Sequence, residues 1–112
     1  MKKNNTEKST EKKYEMVFCI VNAGFSETVM DAAKEAGARG GTVIRARGTA
    51  NKDAEELFQI TVHSDKEIVM IIVPAEIKDD VLSAVYKVVT TSEMRGIAFS
   101  LAVDRALGLG GE

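Results

Sequence analysis

The chain has 112 residues, 45% hydrophobic and 29% charged, with 15 Lys and Arg against 17 Asp and Glu for a net charge of -2. That length suits one domain, and the apolar content supplies a core and argues against global disorder. The near-balance of charge argues against a dedicated nucleic-acid binder, which carries a basic excess, but leaves room for a local basic pocket holding a small anion.

Residues 1–13, MKKNNTEKSTEKK, hold five lysines and two glutamates and show no apolar periodicity. They read as a disordered polar tail, either a solvated end or a basic arm for a membrane or an acidic partner. Residues 14–21, YEMVFCIV, are a short apolar run bounded by Asn22, Ala23 and Gly24, the pattern of a buried strand. The run is too short for a membrane span or a signal-peptide core, so a soluble cytoplasmic protein is expected. Cys19 is the single cysteine and His63 the single histidine. This excludes an intramolecular disulfide and a thiol-rich zinc site, and Cys19 reads as a small buried hydrophobe. No metal ligands are expected, because His63 has no spaced His or Cys partner.

Ser26 stands where a helix N-cap belongs, and Val29, Ala32, Ala33 and Ala36 follow at helical spacing. Gly37 suits the left-handed residue that closes such a helix. Gly40 and Gly41 mark a turn, and the β-branched start of TVIRAR predicts a strand over 42–47. Residues 48–56 are small and polar, a loop. Phe58, Ile60 and Val62 alternate with polar residues as in a half-buried strand, and Ser64-Asp65 interrupts that pattern. The apolar run 68–73 is the best candidate for a central strand, ended by Pro74. Ile77, Val81, Leu82, Val85, Val88 and Val89 predict an amphipathic helix over 77–89. Residues 90–96, TTSEMRG, read as a polar loop and 97–103 as the last strand; Leu107 and Leu109 are expected to pack after it, and 110–112 to fray.

The order strand, helix, strand, strand, helix, strand repeats one split unit over 14–49 and 66–104. It predicts an α+β, ferredoxin-like βαββαβ sandwich with an antiparallel four-stranded sheet and both helices on one face. No third layer remains in the chain to cover the other face, so oligomerisation is the economical solution.

Three segments could carry chemistry. Gly37-Ala38-Arg39-Gly40-Gly41-Thr42 could bring backbone N–H groups to an anion, or be a plain helix-to-strand turn. Arg45 and Arg47, two apart on a strand, share a face and suit a phosphate or carboxylate; with Gly48 and Thr49 they form a second candidate. The alternative is a solvated face, or ion pairs with Glu55 and Glu56. Thr90 to Gly96 offers hydroxyls, Arg95 and a glycine, or serves as an ordinary connector. The sequence contains no HExxH, P-loop, GxSxG or GxGxxG motif. Without a positioned base, nucleophile or metal, no catalytic residue is assigned.

Taken together, MVFCIV, EAGARGGTVIRARGT, DKEIVMIIVPAEIKDDVLSAV and GIAFSLAVDRAL resemble the PII signal-transduction family over nearly all of 14–109. The turn and strand Gly40-Gly41-Thr42-Val43 followed by Gly48 are its most specific part. The resemblance implies a ferredoxin-like homotrimer with adenine nucleotides, ATP, ADP or AMP, as effectors in clefts between subunits. It also implies a loop between the second and third strands, the T-loop, that docks onto an enzyme, a membrane transporter or a transcription regulator. Carried over by position, Ile20, Gly40, Gly41, Thr42 and Gly48 line one side of the cleft. Thr91, Ser92, Arg95 and Gly96 of the neighbouring subunit match the family's B-loop. No cofactor is required and no nucleic acid is expected.

Several positions depart from the family pattern. The T-loop equivalent, about 49–63, is short, and Gln59 stands at the modified tyrosine, so uridylylation there is not expected. Ile97 stands near the phosphate-binding lysine, and the C-terminal basic pair falls around Gly108 and Gly110. At about 1.5–3 kcal/mol per charge-assisted contact, three lost cations weaken a triphosphate site by several kcal/mol. Arg45, Arg47 or Arg95 could replace some of them, which points to a smaller nucleotide or another anion. Two further readings stand beside this one. One is a ligand-free structural trimerisation module. The other is an acylphosphatase-like hydrolase using Arg39 with Asn22 or Asn51. On the sensor reading, Gly41→Val is expected to impair ligand uptake more than folding.

Overall fold

The structure, a computed structural model, describes residues 13–49, 65–91 and 93–109. These form β1 (Tyr14–Asn22), α1 (Ser26–Glu35), β2 (Thr42–Arg47), β3 (Asp65–Pro74), a short 3-10 turn (Ala75–Ile77), α2 (Lys78–Val89) and β4 (Ile97–Val103). The sheet order is β2-β3-β1-β4, every neighbouring pair is antiparallel, and the fold is the expected ferredoxin-like α+β architecture. The polar tail 1–12, the strand expected over 58–63 and the end 110–112 lie outside the described residues.

Alternation along the strands assigns the two faces. Val17, Cys19 and Val21 of β1 and Val69, Ile71 and Val73 of β3 are 0–1% exposed and point to the helices. There they meet Val29 and Ala33 of α1 and Val81, Val85 and Val89 of α2. Each such valine contributes about 1.5–3 kcal/mol by leaving water. Burial pushes the Cys19 thiol up to about 11, as a small hydrophobe in this core requires.

The opposite face has no layer over it among the described residues. Ladder register sets Ile44, Ile68, Ile20 and Ile97 in one row across the sheet, with Thr42, Met70, Phe18 and Phe99 in the next. The rings of Phe18 and Phe99 stack with centroids 5.0 Å apart. Ile44, Ile72, Ile97, Phe99 and Leu101 on this face are 38–56% exposed.

Three local expectations are corrected. Ser26 is the first helical residue rather than the N-cap; Phe25 holds that position and no side chain of its own caps the helix. The acceptor comes instead from β3, where Glu67 Oε1 receives the N–H groups of Gly24 (3.1 Å) and Ser26 (3.2 Å). β3 starts at Asp65, not Ile68, because its ladder continues against Asn22 and Arg47, and the polar side chains there find partners, Lys66 Nζ donating to Asn22 Oδ1 at 2.7 Å. The 90–96 segment is not wholly polar: Met94 is 3% exposed and belongs to the core. The close of α1 follows expectation. Gly37 has φ +113, with Gly37 N–H donating to Lys34 O and Ala38 N–H to Ala33 O, a Schellman motif.

Candidate functional site

β1 and β2 run parallel to each other, since each is antiparallel to β3. Their C-terminal ends therefore share one end of the sheet with the start of β4. This end holds Ile20, Arg45, Arg47 and Gly48, together with Thr91, Arg95 and Gly96 of the turn before β4. Gly40 and Gly41 lie toward the other end, and Thr42 stands at mid-sheet, in the row of Met70, Phe18 and Phe99. Ser92 lies outside the described residues, as does most of the 49–63 segment. Six residues of extended strand, about 20 Å, separate Thr42 from Gly48. Only an elongated ligand lying along β2 could touch both.

Among the described residues β2 is an edge strand, and α1 packs on β3 beside it rather than over it. Val43, Arg45 and Arg47 share the helix-side face and are exposed. The two guanidiniums project together as their spacing requires, but each faces a carboxylate: Arg45 is in register with Glu67 and Arg47 with Asp65. Glu67 is a residue of this candidate end that sequence reasoning missed; the only signal for it was an acidic residue in the charged triplet just before the apolar run 68–73. Desolvation pushes its carboxyl up. The Ser26 hydroxyl, the Gly24 and Ser26 N–H groups and the charge of Arg45 outweigh that and hold it below the usual value.

The turn before β4 is tightly built. Arg95 N–H donates to Thr91 O (2.9 Å), Gly96 N–H to Val89 O (2.6 Å) and Met94 N–H to Thr91 Oγ1 (3.4 Å). Arg95 is exposed and adopts φ +45, a left-handed conformation that costs a non-glycine residue about 1–2 kcal/mol. Gly96 is required by packing: a Cβ there would stand 2.7 Å from Ile20 O and 2.9 Å from Val21 Cγ1. Gly41 is similarly placed, its Cβ position being 2.8 Å from Met70 O and 3.0 Å from Met30 Sδ. Gly41→Val therefore strikes the fold directly, which counts against the expectation that ligand uptake would suffer more than folding. A Cβ at Gly40 meets nothing within 4 Å, so that position is open to solvent or ligand.

Within one chain the β2 cluster and the 91–96 turn do not converge. They belong to opposite edges of the sheet, three strand spacings or about 14 Å apart. Near Gly40 a recess of about 640 Å³ is lined by Tyr14, Arg39, Ile72, Pro74, Ile77 and Leu109, among others. Leu109 thus reaches structure, whereas Leu107 is 82% exposed. Arg39 and Asn22 occupy opposite ends of the sheet, and Asn22 Oδ1 is engaged by Lys66, so this pair cannot orient one acyl phosphate. Asn51 lies outside the described residues. Among the described residues no group of three or more His, Cys, Asp or Glu is placed to hold a metal ion. Among them, no helix is long and apolar enough to cross a membrane.

Comparison with known proteins adds four findings. Residues 14–109 match the family described as nitrogen regulatory protein P-II. PII from Arabidopsis thaliana, solved bound to citrate, is 25% identical with TM-score 0.67, covering 91% of this chain and 86% of that one. CPII from Thiomonas intermedia K12, a nitrogen regulatory PII-like protein solved with ADP, AMP and bicarbonate, is 14% identical with TM-score 0.58, covering 85% of this chain and 97% of that one. The latter likeness shows the fold alone. No curated protein matches the sequence.

Proposed function

The chain belongs to the nitrogen regulatory protein P-II family and is a PII-like signalling protein, and on that premise we propose that it assembles as a homotrimer that binds a small effector between subunits. The observation that carries this reading is the open sheet face. Two rows of apolar side chains, Ile44-Ile68-Ile20-Ile97 and Met70-Phe18-Phe99, stand opposite a face that the two helices cover over β1 and β3. A soluble monomer rarely leaves so continuous an apolar patch exposed. A second and third copy cover it and bring the β2 edge of one subunit to the 91–96 turn of the next.

The proposed cleft uses Ile20, Gly40, Gly41, Thr42, Arg45, Arg47 and Gly48 of one subunit and Thr91, Ser92, Arg95 and Gly96 of its neighbour. The distance along β2 from Thr42 to Gly48 favours an adenine nucleotide, ATP, ADP or AMP, over a compact anion such as bicarbonate. Binding at the root of the 49–63 segment would shift that segment by its differential affinity for the segment's conformations, and so alter docking onto a partner enzyme or membrane transporter. No covalent step is needed, and the cytoplasm is the expected compartment.

Native mass spectrometry of protein purified from cells tests the assembly and any retained small molecule together. Calorimetric titration with ATP, ADP, AMP, cyclic nucleotides and bicarbonate tests the effector. Three copies and binding of a nucleotide at millimolar concentration or below are expected. A solitary chain in dilute solution that takes up none of these ligands would overturn the reading.

A further inference from the structure

The charges along β2 do not stand alone, and their partners bear on which nucleotide the cleft accepts. Arg45 lies directly opposite Glu67, and Arg47 directly opposite Asp65, in the β2–β3 ladder. Directly opposed residues share a face, with Cβ atoms about 4.5–5.5 Å apart. Four charged side chains therefore occupy one patch beside Gly48, and their formal charges cancel in pairs.

We propose that Asp65 and Glu67 set the charge class of the effector, screening Arg47 and Arg45 so that the cleft takes a nucleotide with a single phosphate in preference to a triphosphate. Two unopposed guanidiniums would favour a polyphosphate through bidentate, charge-assisted bonds. A carboxylate beside each adds repulsion that grows in proportion to ligand charge, so a triphosphate bears more of it than a monophosphate. Glu67 is anchored in place: its Oε1 accepts from Gly24 N–H at 3.1 Å and Ser26 N–H at 3.2 Å at the start of α1. Those bonds also hold the carboxyl below the usual carboxylate value. Asp65 is exposed, and its backbone oxygen receives Ala23 N–H at 3.0 Å, which fixes the strand that presents it.

The inference rests on the nucleotide cleft proposed above, and the experiment separates the two. AMP, ADP and ATP are titrated calorimetrically, without divalent cations, into the full-length wild type and into Glu67→Gln, Asp65→Asn and Arg45→Gln. Wild type is expected to bind AMP at least as tightly as ATP. Glu67→Gln keeps an oxygen for the Gly24 and Ser26 N–H groups and should raise the ATP-to-AMP affinity ratio about threefold or more. Asp65→Asn, which leaves the helix start untouched, should shift the ratio in the same direction and decides the matter if Glu67→Gln fails to fold. Arg45→Gln should weaken all three ligands, ATP most. An unchanged ratio in both carboxylate variants, or a wild type that prefers ATP tenfold, overturns the inference while leaving the cleft standing. A wild type that binds none of the three removes the nucleotide cleft itself and the inference with it.

Discussion

Glu67 is worth more to the fold than an exposed strand carboxylate would be, because it terminates a helix that has no side-chain cap of its own. Glu67→Ala should cost about 1 kcal/mol, the usual cost of a lost cap, measured by urea unfolding. Its folded value lies below the ordinary 4.5. The stabilisation is therefore fully present above that pH and is lost as pH falls through the lowered folded value. The gap in stability between wild type and Glu67→Ala should narrow on acidification, because the neutral acid keeps an oxygen for the two N–H groups but loses the charge; a gap unchanged at pH 2 would contradict the carboxylate's role. Two neighbours in the turn before β4 should respond oppositely. Gly96→Ala drives a Cβ into Ile20 O and should cost about 2 kcal/mol or more. Arg95→Gly relieves a left-handed non-glycine residue and should leave thermal stability unchanged or higher. Cys19 gives a third test. Its folded value is raised from 9.0 to about 11, so stability is whole below pH 9 and falls as pH rises through 11. Alkaline unfolding should be less steep in Cys19→Ala, by about 2–3 kcal/mol across that window. An identical alkaline profile would mean that the thiol does not stay protonated in the core.

At the scale of elements, the sequence was most legible where one periodicity ran unbroken. The apolar stripe from Val81 to Val89 specifies a buried face with no help from the rest of the chain, whereas the continuous apolar run around Val17 and Cys19 marks a strand without saying which of its sides meets the helices. Boundaries were less legible. Asp65, Lys66 and Glu67 look like the end of a loop because their side chains are charged, yet backbone pairing with two flanking strands holds them in β3. Met94 sits in a run of polar residues, and only the path of the turn over Val89 brings it into the core. Ser26 carries the residue type of an N-cap, and the competition was decided by a carboxylate forty-one residues away. Of the candidate site, the pairing of Arg45 with Arg47 on one face followed from strand spacing, whereas the carboxylates opposite them depended on strand register, which local sequence does not encode.

For the whole molecule, the dominant feature is the sheet face left uncovered among the described residues. Phe18 lies at its centre, between Met70 and Phe99 and stacked on the latter. Phe18→Asp places a charge where the proposed subunits meet, while its neighbours Val17 and Cys19 on the helix side are untouched. The variant should sediment as a folded single chain, with helical content retained by circular dichroism, where wild type is expected to sediment as the proposed trimer. An unchanged oligomer would show that this face is not the interface.

Length, apolar periodicity and turn glycines determined the class of fold, the order of its elements and the two-sided character of the sheet, because each of these follows from interactions a few residues apart. Which end of the sheet each candidate residue occupies, which carboxylates stand against Arg45 and Arg47, and why Gly41 and Gly96 must lack a side chain were decided only in three dimensions. These depend on antiparallel register between strands distant in sequence, and a shift of one residue in that register would turn every one of those side chains to the other face.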